Sequence, residues 1–318
     1  MMRTTRPSLR LDIDRRVGLA TLLAAVLAGA IMAPASAQSP AATSPVDIVV
    51  TTAVLGSVVT DLVGDRATVT VLMGSGVDPH DWSPSAQDIE KVHAADLVVE
   101  NGLGLEAVLG SALDEAAAAG VRVFVATDHI TVRALGPTDP TDAAPASPGT
   151  TGTDPHFWVD PVSMKAVVDA LAPVIGELGV DVTDRAVDLD ARLDALDAEV
   201  RTLLAPIPDT SRKLVTGHES MGYFADRYGF TLVGAVMPGL SSQGEVSARQ
   251  LADIAAQIQT QGVTVIFTEI GTPQAVVEAI AGATGVQVVQ LPSHTMPADG
   301  SYFTFIRTIA TAIADALS

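Results

Sequence analysis

At 318 residues, 48% hydrophobic and 17% charged, the chain has the make-up of a globular protein with room for two domains. Its formal net charge of −19 becomes more negative once residues 1–37, which carry five arginines and two aspartates, are removed. Such a surface repels nucleic-acid phosphates and anionic lipid and draws cations toward it. There is no cysteine, which excludes a disulfide framework, a thiolate metal site and a lipid-modified cysteine. Any metal must then be bound by imidazole, carboxylate, carbonyl or water.

The first 37 residues read as a signal peptide. Arg15 and Arg16 precede an apolar run from Val17 to Ala33, and Ala35-Ser36-Ala37 fits a small-residue cleavage site. The arginine pair is compatible with either a Sec or a twin-arginine signal, and an uncleaved signal would act as an anchor. The expectation is an exported protein, soluble after cleavage, on the periplasmic or extracellular face of the membrane and not a lipoprotein.

A spacer (38–45) follows, and then short apolar strands alternate with helices. Strands are predicted at 47–52, 68–72, 97–100 and 121–125, with helices at 85–93 and 105–119 between them. From Ala134 to Thr153 the composition turns to Pro, Asp, Thr, Ala and Gly, which predicts a mobile loop. A helical region from Val162 to about Leu204 follows, with a break near Gly179. Its second half repeats Leu189, Leu193, Leu196 and Leu203 among charges, and Pro206 and Pro208 end it. The alternation then restarts, with strands at 213–216, 231–235, 263–267 and 286–290 and helices at 221–228, 247–261, 273–283 and 303–317. The pattern predicts an α/β fold of two lobes, each a parallel-type sheet with flanking helices, joined by one long rigid helix. The domain boundaries expected are 46–180 for the N-terminal lobe, 181–208 for the linking helix and 209–318 for the C-terminal lobe. A cleft between two such lobes is where a ligand binds.

Of the six histidines, two share a context. Asp78-Pro79-His80-Asp81-Trp82 and Asp154-Pro155-His156-Phe157-Trp158 both read Asp-Pro-His-x-Trp, and they contain the only two tryptophans. Proline fixes its own φ and restrains the aspartate before it, so each imidazole leaves a rigid turn. A nearby carboxylate can orient the ring through its second nitrogen, and tryptophan can exclude water. Ordinary turn chemistry explains one such element more readily than two. His218 and His294 each fall just beyond the carboxyl end of a predicted strand, the side that faces the cleft in an α/β lobe. His93, within an amphipathic helix, and His129, at the start of the variable loop, read as structural.

These elements resemble the zinc and manganese binding-protein family of ATP-driven metal importers. The resemblance covers nearly all of the chain after residue 37. It rests on Gly76-Val77-Asp78-Pro79-His80 with Ser83-Pro84-Ser85, and on Asp154-Pro155-His156-Phe157-Trp158-Val159-Asp160-Pro161. It rests also on His218 with Gly222-Tyr223-Phe224 and Tyr228-Gly229-Phe230, and on Asp299-Gly300-Ser301-Tyr302. It implies one metal at the lobe interface with two ligands from each lobe. His80 and His156 match the N-terminal pair. His218 matches the third position, where manganese-type members often carry Glu. His294 falls at the fourth, where Asp is common, with Glu269 and Asp299 as alternatives. Many zinc-type members carry a histidine-rich loop between the first two ligands, whereas residues 134–153 contain no histidine.

Three or four imidazoles favour Zn2+ over Mn2+, which prefers oxygen. The implied partner is the membrane permease of an ABC importer, with a zinc metallochaperone as a second candidate, no nucleic acid, and a monomeric state. Two other readings stand beside zinc carriage. One is a manganese carrier of the same family. The other is a secreted zinc hydrolase with an open three-histidine site, although His-Glu-x-x-His and Gly-x-Ser-x-Gly stretches are absent. A surface adhesin on this fold has no independent support in the residues. Unperturbed imidazoles would lose metal as pH falls through about 6.5, and Trp82 and Trp158 are both expected to report binding.

Overall fold

The computed structural model describes residues 45–134, 152–237, 239–240, 242 and 246–318. The predicted signal peptide (1–37), most of the spacer and most of the 134–153 loop lie outside the described residues. The ends of that loop meet in an antiparallel bridge between Ala134 and Thr153.

Two four-stranded parallel sheets repeat the same order. The first contains β1 (Val46–Thr52), β2 (Ala67–Met73), β3 (Leu97–Glu100) and β4 (Arg122–Val125), arranged β2-β1-β3-β4. The second contains β5 (Lys213–Thr216), β6 (Thr231–Ala235), β7 (Val265–Thr268) and β8 (Gln287–Gln290), arranged β6-β5-β7-β8. In each sheet the chain starts in the interior, steps to one edge, then returns past its first strand to the other. That reversal opens a crevice beyond the carboxyl ends of the central strands.

The helices follow from the sequence with one omission. The predicted elements leave residues 53–63 without a helix, yet α1 (Ala53–Val63) starts directly from β1, with the Thr52 hydroxyl accepting from the Leu55 amide at 3.4 Å. Seven of its eleven residues are buried, and Ser57, Thr60 and Asp61 form only a narrow polar stripe, too short to set it apart from the strand-like run before it. Gly56 allows the helix to lie on β2, where a Cβ would stand 2.4 Å from Val71 Cγ2. The helices α2 (Ala86–Ala94) and α3 (Gly110–Ala118) cover the outer face of the first sheet, enclosing Val49, Val92, Val98 and Leu109. A 3-10 turn, Ala107–Leu109, replaces the start of the helix predicted at 105–119.

The helical region 162–204 is two helices, α4 (Pro161–Glu177) and α5 (Thr183–Leu204), broken where Gly179 takes a φ of 85°. Helix α5 buries Leu189, Leu193, Leu196, Val200 and Leu204. The apolar stripe thus continues through Val200 to Leu204, and Leu203 is only half-buried. The second lobe adds α6 (Gly222–Tyr228), α7 (Ala248–Gln261), α8 (Gln274–Thr284) and α9 (Tyr302–Leu317). The main core runs continuously from the inner face of the first sheet through α1, α4, α5 and α9 to the inner face of the second, and α7 and α8 close its outer face. Among the described residues no helix is long and apolar enough to cross a membrane.

Candidate metal centre

Four histidines meet between the sheets: His80, His156, His218 and His294 each offer a ring nitrogen, and these atoms all lie within 4.8 Å of one another. His80 lies on the loop after β2, His218 two residues beyond β5, and His294 four residues beyond β8. His156 precedes a 3-10 turn, Phe157–Val159, that runs into α4. The topology therefore brings three strand ends and one helix entry to a single point. His156, His218 and His294 are buried, and His80 is partly exposed.

His156 Nε2 stands 3.2 Å from His80 Nε2 and 3.3 Å from His218 Nε2. Zinc–nitrogen bonds of about 2.0–2.1 Å in a tetrahedron put ligand atoms roughly 3.3–3.4 Å apart. Two ligand pairs are thus already at coordination spacing. The hydrogen bonds behind the rings decide which nitrogens face inward. Asp154 Oδ1 takes both the His156 backbone N–H at 2.9 Å and His156 Nδ1 at 2.8 Å. A carboxylate only accepts, so Nδ1 carries the proton and Nε2 presents its lone pair. The Ser293 hydroxyl donates to Glu269 Oε2 at 2.7 Å, so it can only accept from His294 Nδ1, 3.0 Å away. That leaves His294 Nε2 as a lone pair, buried and without a partner. His218 Nδ1 faces Glu269 Oε2 at 3.5 Å. Converging lone pairs in a dry space repel one another unless a cation sits among them.

Electrostatics agree. Burial, with a smaller contribution from His156, pulls the His80 and His294 pKa values down to about 3 and holds His218 well below the usual imidazole value. The neutral, ligating form is complete above the folded value and is lost only as pH falls through it. This moves proton competition at His80 and His294 away from the pH 6.5 expected of free imidazole. In the metal-free protein, the ring resonances of His80, His218 and His294 are expected to show no titration between pH 8 and 5 by NMR. A midpoint near 6.5 for any of the three would contradict the burial argument.

The alternative fourth ligands lie elsewhere. Glu269 is buried behind His218 and accepts from Ser220 and Ser293 at 2.6 and 2.7 Å, and burial raises its pKa. Asp299 precedes Ser301, the N-cap of α9, accepting from the Ser301 amide at 3.0 Å and the Thr304 hydroxyl at 2.7 Å. His93 sits 4.0 Å from Glu115 between α2 and α3, and His129 stacks on Phe124, ring centroids 4.5 Å apart.

The two Asp-Pro-His-Trp elements differ in what their aspartates and tryptophans do. Trp158 lies 5.2 Å from the His156 ring and 5.6 Å from the His294 ring, and its indole N–H donates to the Ser293 carbonyl at 3.1 Å. Trp82 instead packs with the outer core around Leu72 and Val92. Only Trp158 is therefore expected to report zinc: Trp158→Phe should lose the fluorescence response and Trp82→Phe should keep it. A response confined to Trp82 would contradict this placement. Of the carboxylates behind the rings, Glu269 is named by the sequence as an alternative ligand, and the structure gives it a supporting place instead. The one signal for Glu269 was its position just past the end of β7.

Four imidazole nitrogens converging between two α/β lobes, three of them on buried rings, have the chemistry to hold a nitrogen-preferring cation. The profile of the family described as "Zinc-uptake complex component A periplasmic" matches residues 48–316, and the chain belongs to that family. The chain is 31% identical over 295 residues to the zinc-binding protein TroA of Treponema pallidum, covering 92% of this chain and 90% of that one. It is 27% identical over 264 residues to the manganese-binding lipoprotein MntA of Bacillus subtilis strain 168, covering 80% and 79%. The solved structure of the periplasmic zinc-binding protein TroA from Treponema pallidum superposes with a TM-score of 0.72 at 28% identity, over 87% of this chain and 100% of that one.

Proposed function

We propose that this chain is an extracytoplasmic solute-binding protein that captures one Zn2+ between its lobes, on His80, His156, His218 and His294, and delivers it to the membrane permease of an ABC importer. The observation that carries the metal assignment is the ligand set: four ring nitrogens within 4.8 Å of one another and no carboxylate among them. Nitrogen ligands in fours suit zinc, whereas manganese prefers oxygen. The relative named for manganese keeps that metal as the second reading.

Carriage rather than catalysis is supported by the family, whose members are solute-binding proteins, and by the placement of the carboxylates. Asp154 and Glu269 stand behind imidazole rings, where neither can serve as a base on a metal-bound water. The finer reading places residues 1–37 as a signal peptide and residues 46–180 and 209–318 as lobes about a linking helix at 181–208. It includes a monomeric protein loaded directly or by a zinc metallochaperone. The absence of cysteine supports export without a lipid anchor, unlike the lipoprotein relative.

Native mass spectrometry of the metal-stripped protein with equal zinc and manganese, repeated on His294→Ala, tests the reading. One zinc on the parent and weakened binding in the variant are expected. Manganese uptake would reverse the metal assignment, and unchanged zinc binding in the variant would remove His294 and reopen a three-ligand site.

A further inference from the structure

The two Asp-Pro-His elements seat their aspartates on the opposite lobe in the same way. Asp154 Oδ2 lies where a Cβ on Gly222 would stand 2.4 Å away, and Asp78 Oδ2 lies at the same 2.4 Å from a Cβ built on Gly271. Each carboxylate of the first lobe thus fits a notch on the second that only glycine leaves open. The use made of the notch differs. Asp154 spends Oδ1 on the ring and backbone of His156, within its own turn. Asp78 spends Oδ1 on the His80 backbone N–H at 3.0 Å, and its Oδ2 accepts a hydrogen bond from the Ser242 hydroxyl across the lobe interface. Ser242 is buried, 6% exposed, and its Cβ would lie 3.0 Å from a Cβ on Gly271.

His80 is the one ligand of the four that is not buried. Its loop is held to the second lobe at two places. At one, the Gly76 amide donates to the His294 carbonyl at 3.0 Å and the Met296 amide to the Ser75 hydroxyl at 2.9 Å. At the other, Ser242 holds Asp78. The first tether fixes the loop's entry, four residues before the ligand. The second acts two residues from His80 and holds the carboxylate whose other oxygen accepts from the His80 backbone N–H.

We infer that Ser242 is a positioning residue for His80, acting through Asp78 as a cross-lobe tether whose opening sets the rate of zinc release. His156, His218 and His294 stay in the buried core while the His80 loop swings away, so the metal leaves on the His80 side. Entry needs no such opening, because the loop is free to close after the ion has met three preformed ligands. The tether therefore acts on dissociation and leaves association alone. This inference rests on the zinc-carrier reading.

The experiment is a double-mutant cycle on release kinetics. Zinc-loaded parent, Ser242→Ala, Asp78→Asn and the double variant are mixed with excess chromogenic chelator in a stopped-flow instrument, and association is measured separately. Outer-shell partners of metal ligands change affinity by about 10–100-fold. Ser242→Ala is expected to raise the zinc off-rate by at least ~10-fold with the on-rate within ~2-fold of the parent, and the double variant to release no faster than the faster single one. An unchanged off-rate in Ser242→Ala, equal changes in both rates, or additive effects of the two substitutions would overturn the tether while the parent's one-zinc stoichiometry stood. A parent that takes up no zinc would overturn the carrier reading and the tether with it.

Discussion

His156→Ala is expected to abolish stoichiometric zinc capture, with affinity falling more than ~100-fold, beyond the range of outer-shell losses. His156 is the hub of the cradle: its Nε2 is 3.2 and 3.3 Å from two other ligand atoms, and its ring is fully buried against Trp158. The substitution also strips the Asp154 carboxylate of its 2.8 Å imidazole partner, leaving a buried carboxylate oxygen with only the backbone N–H at 2.9 Å. His80→Ala removes the one half-buried imidazole and keeps three buried ones, so its loss should be smaller. Calorimetry against a competing chelator separates the two. An affinity for His156→Ala within 10-fold of the parent would contradict the assignment of the hub.

Asp160→Ala should lower stability by roughly 3 kcal/mol or more through two separate losses. Asp160 Oδ1 caps α4 by accepting from the Val162 amide at 3.0 Å, and Oδ2 takes the Ser163 hydroxyl at 2.8 Å. The same carboxylate accepts two N–H groups of Arg227, on α6 of the other lobe, each at 2.8 Å. Asp160 is 2% exposed. Deleting it leaves a half-buried guanidinium unpaired, which typically costs about 3–5 kcal/mol when the pair is buried, and removes a cap worth about 1 kcal/mol. Arg227 keeps some solvent, which pulls the sum toward the lower end. Urea unfolding with an unchanged m-value would measure it, and a loss under 1 kcal/mol would show that this inter-lobe pair contributes little.

Much of this arrangement was legible before any coordinates. Eight short apolar or β-branched runs became eight strands; the interior strands β3 and β7 are buried on both faces and leave an unbroken apolar signature, while the edge strands β2 and β8 stood out by β-branched residues between turn signals. The duplicated Asp-Pro-His turn pointed to His80 and His156, since one rare constellation appearing twice is hard to explain by turn chemistry. His218 and His294 were legible only as residues beyond strand ends, and it is the fold that turns those positions into a common centre. Other features were not legible. Helix α1 shows only a narrow polar stripe, Ser57, Thr60 and Asp61, and follows β1 without a turn, so the apolar run hides its period. Trp82 and Trp158 share a sequence context but belong to different cores: Trp158 lies in the 3-10 turn that leads into α4 and the main core, and Trp82 packs against the outer face of the first sheet. The depressed basicity of His80, His218 and His294 depends on burial, which no local pattern encodes. Glu269 accepts from Ser220 and Ser293, 49 and 24 residues away, and so stands behind His218 and, through Ser293, behind His294, a contact set by the sheet order rather than by spacing.

The most direct test of the account is X-ray absorption at the zinc edge on the one-to-one complex. Four nitrogen ligands at about 2.0–2.1 Å, with the multiple-scattering pattern of imidazole, are expected, and His294→Ala should lower the imidazole count to three. A first shell with oxygen in place of one or more imidazoles in the parent would contradict a closed four-histidine cradle.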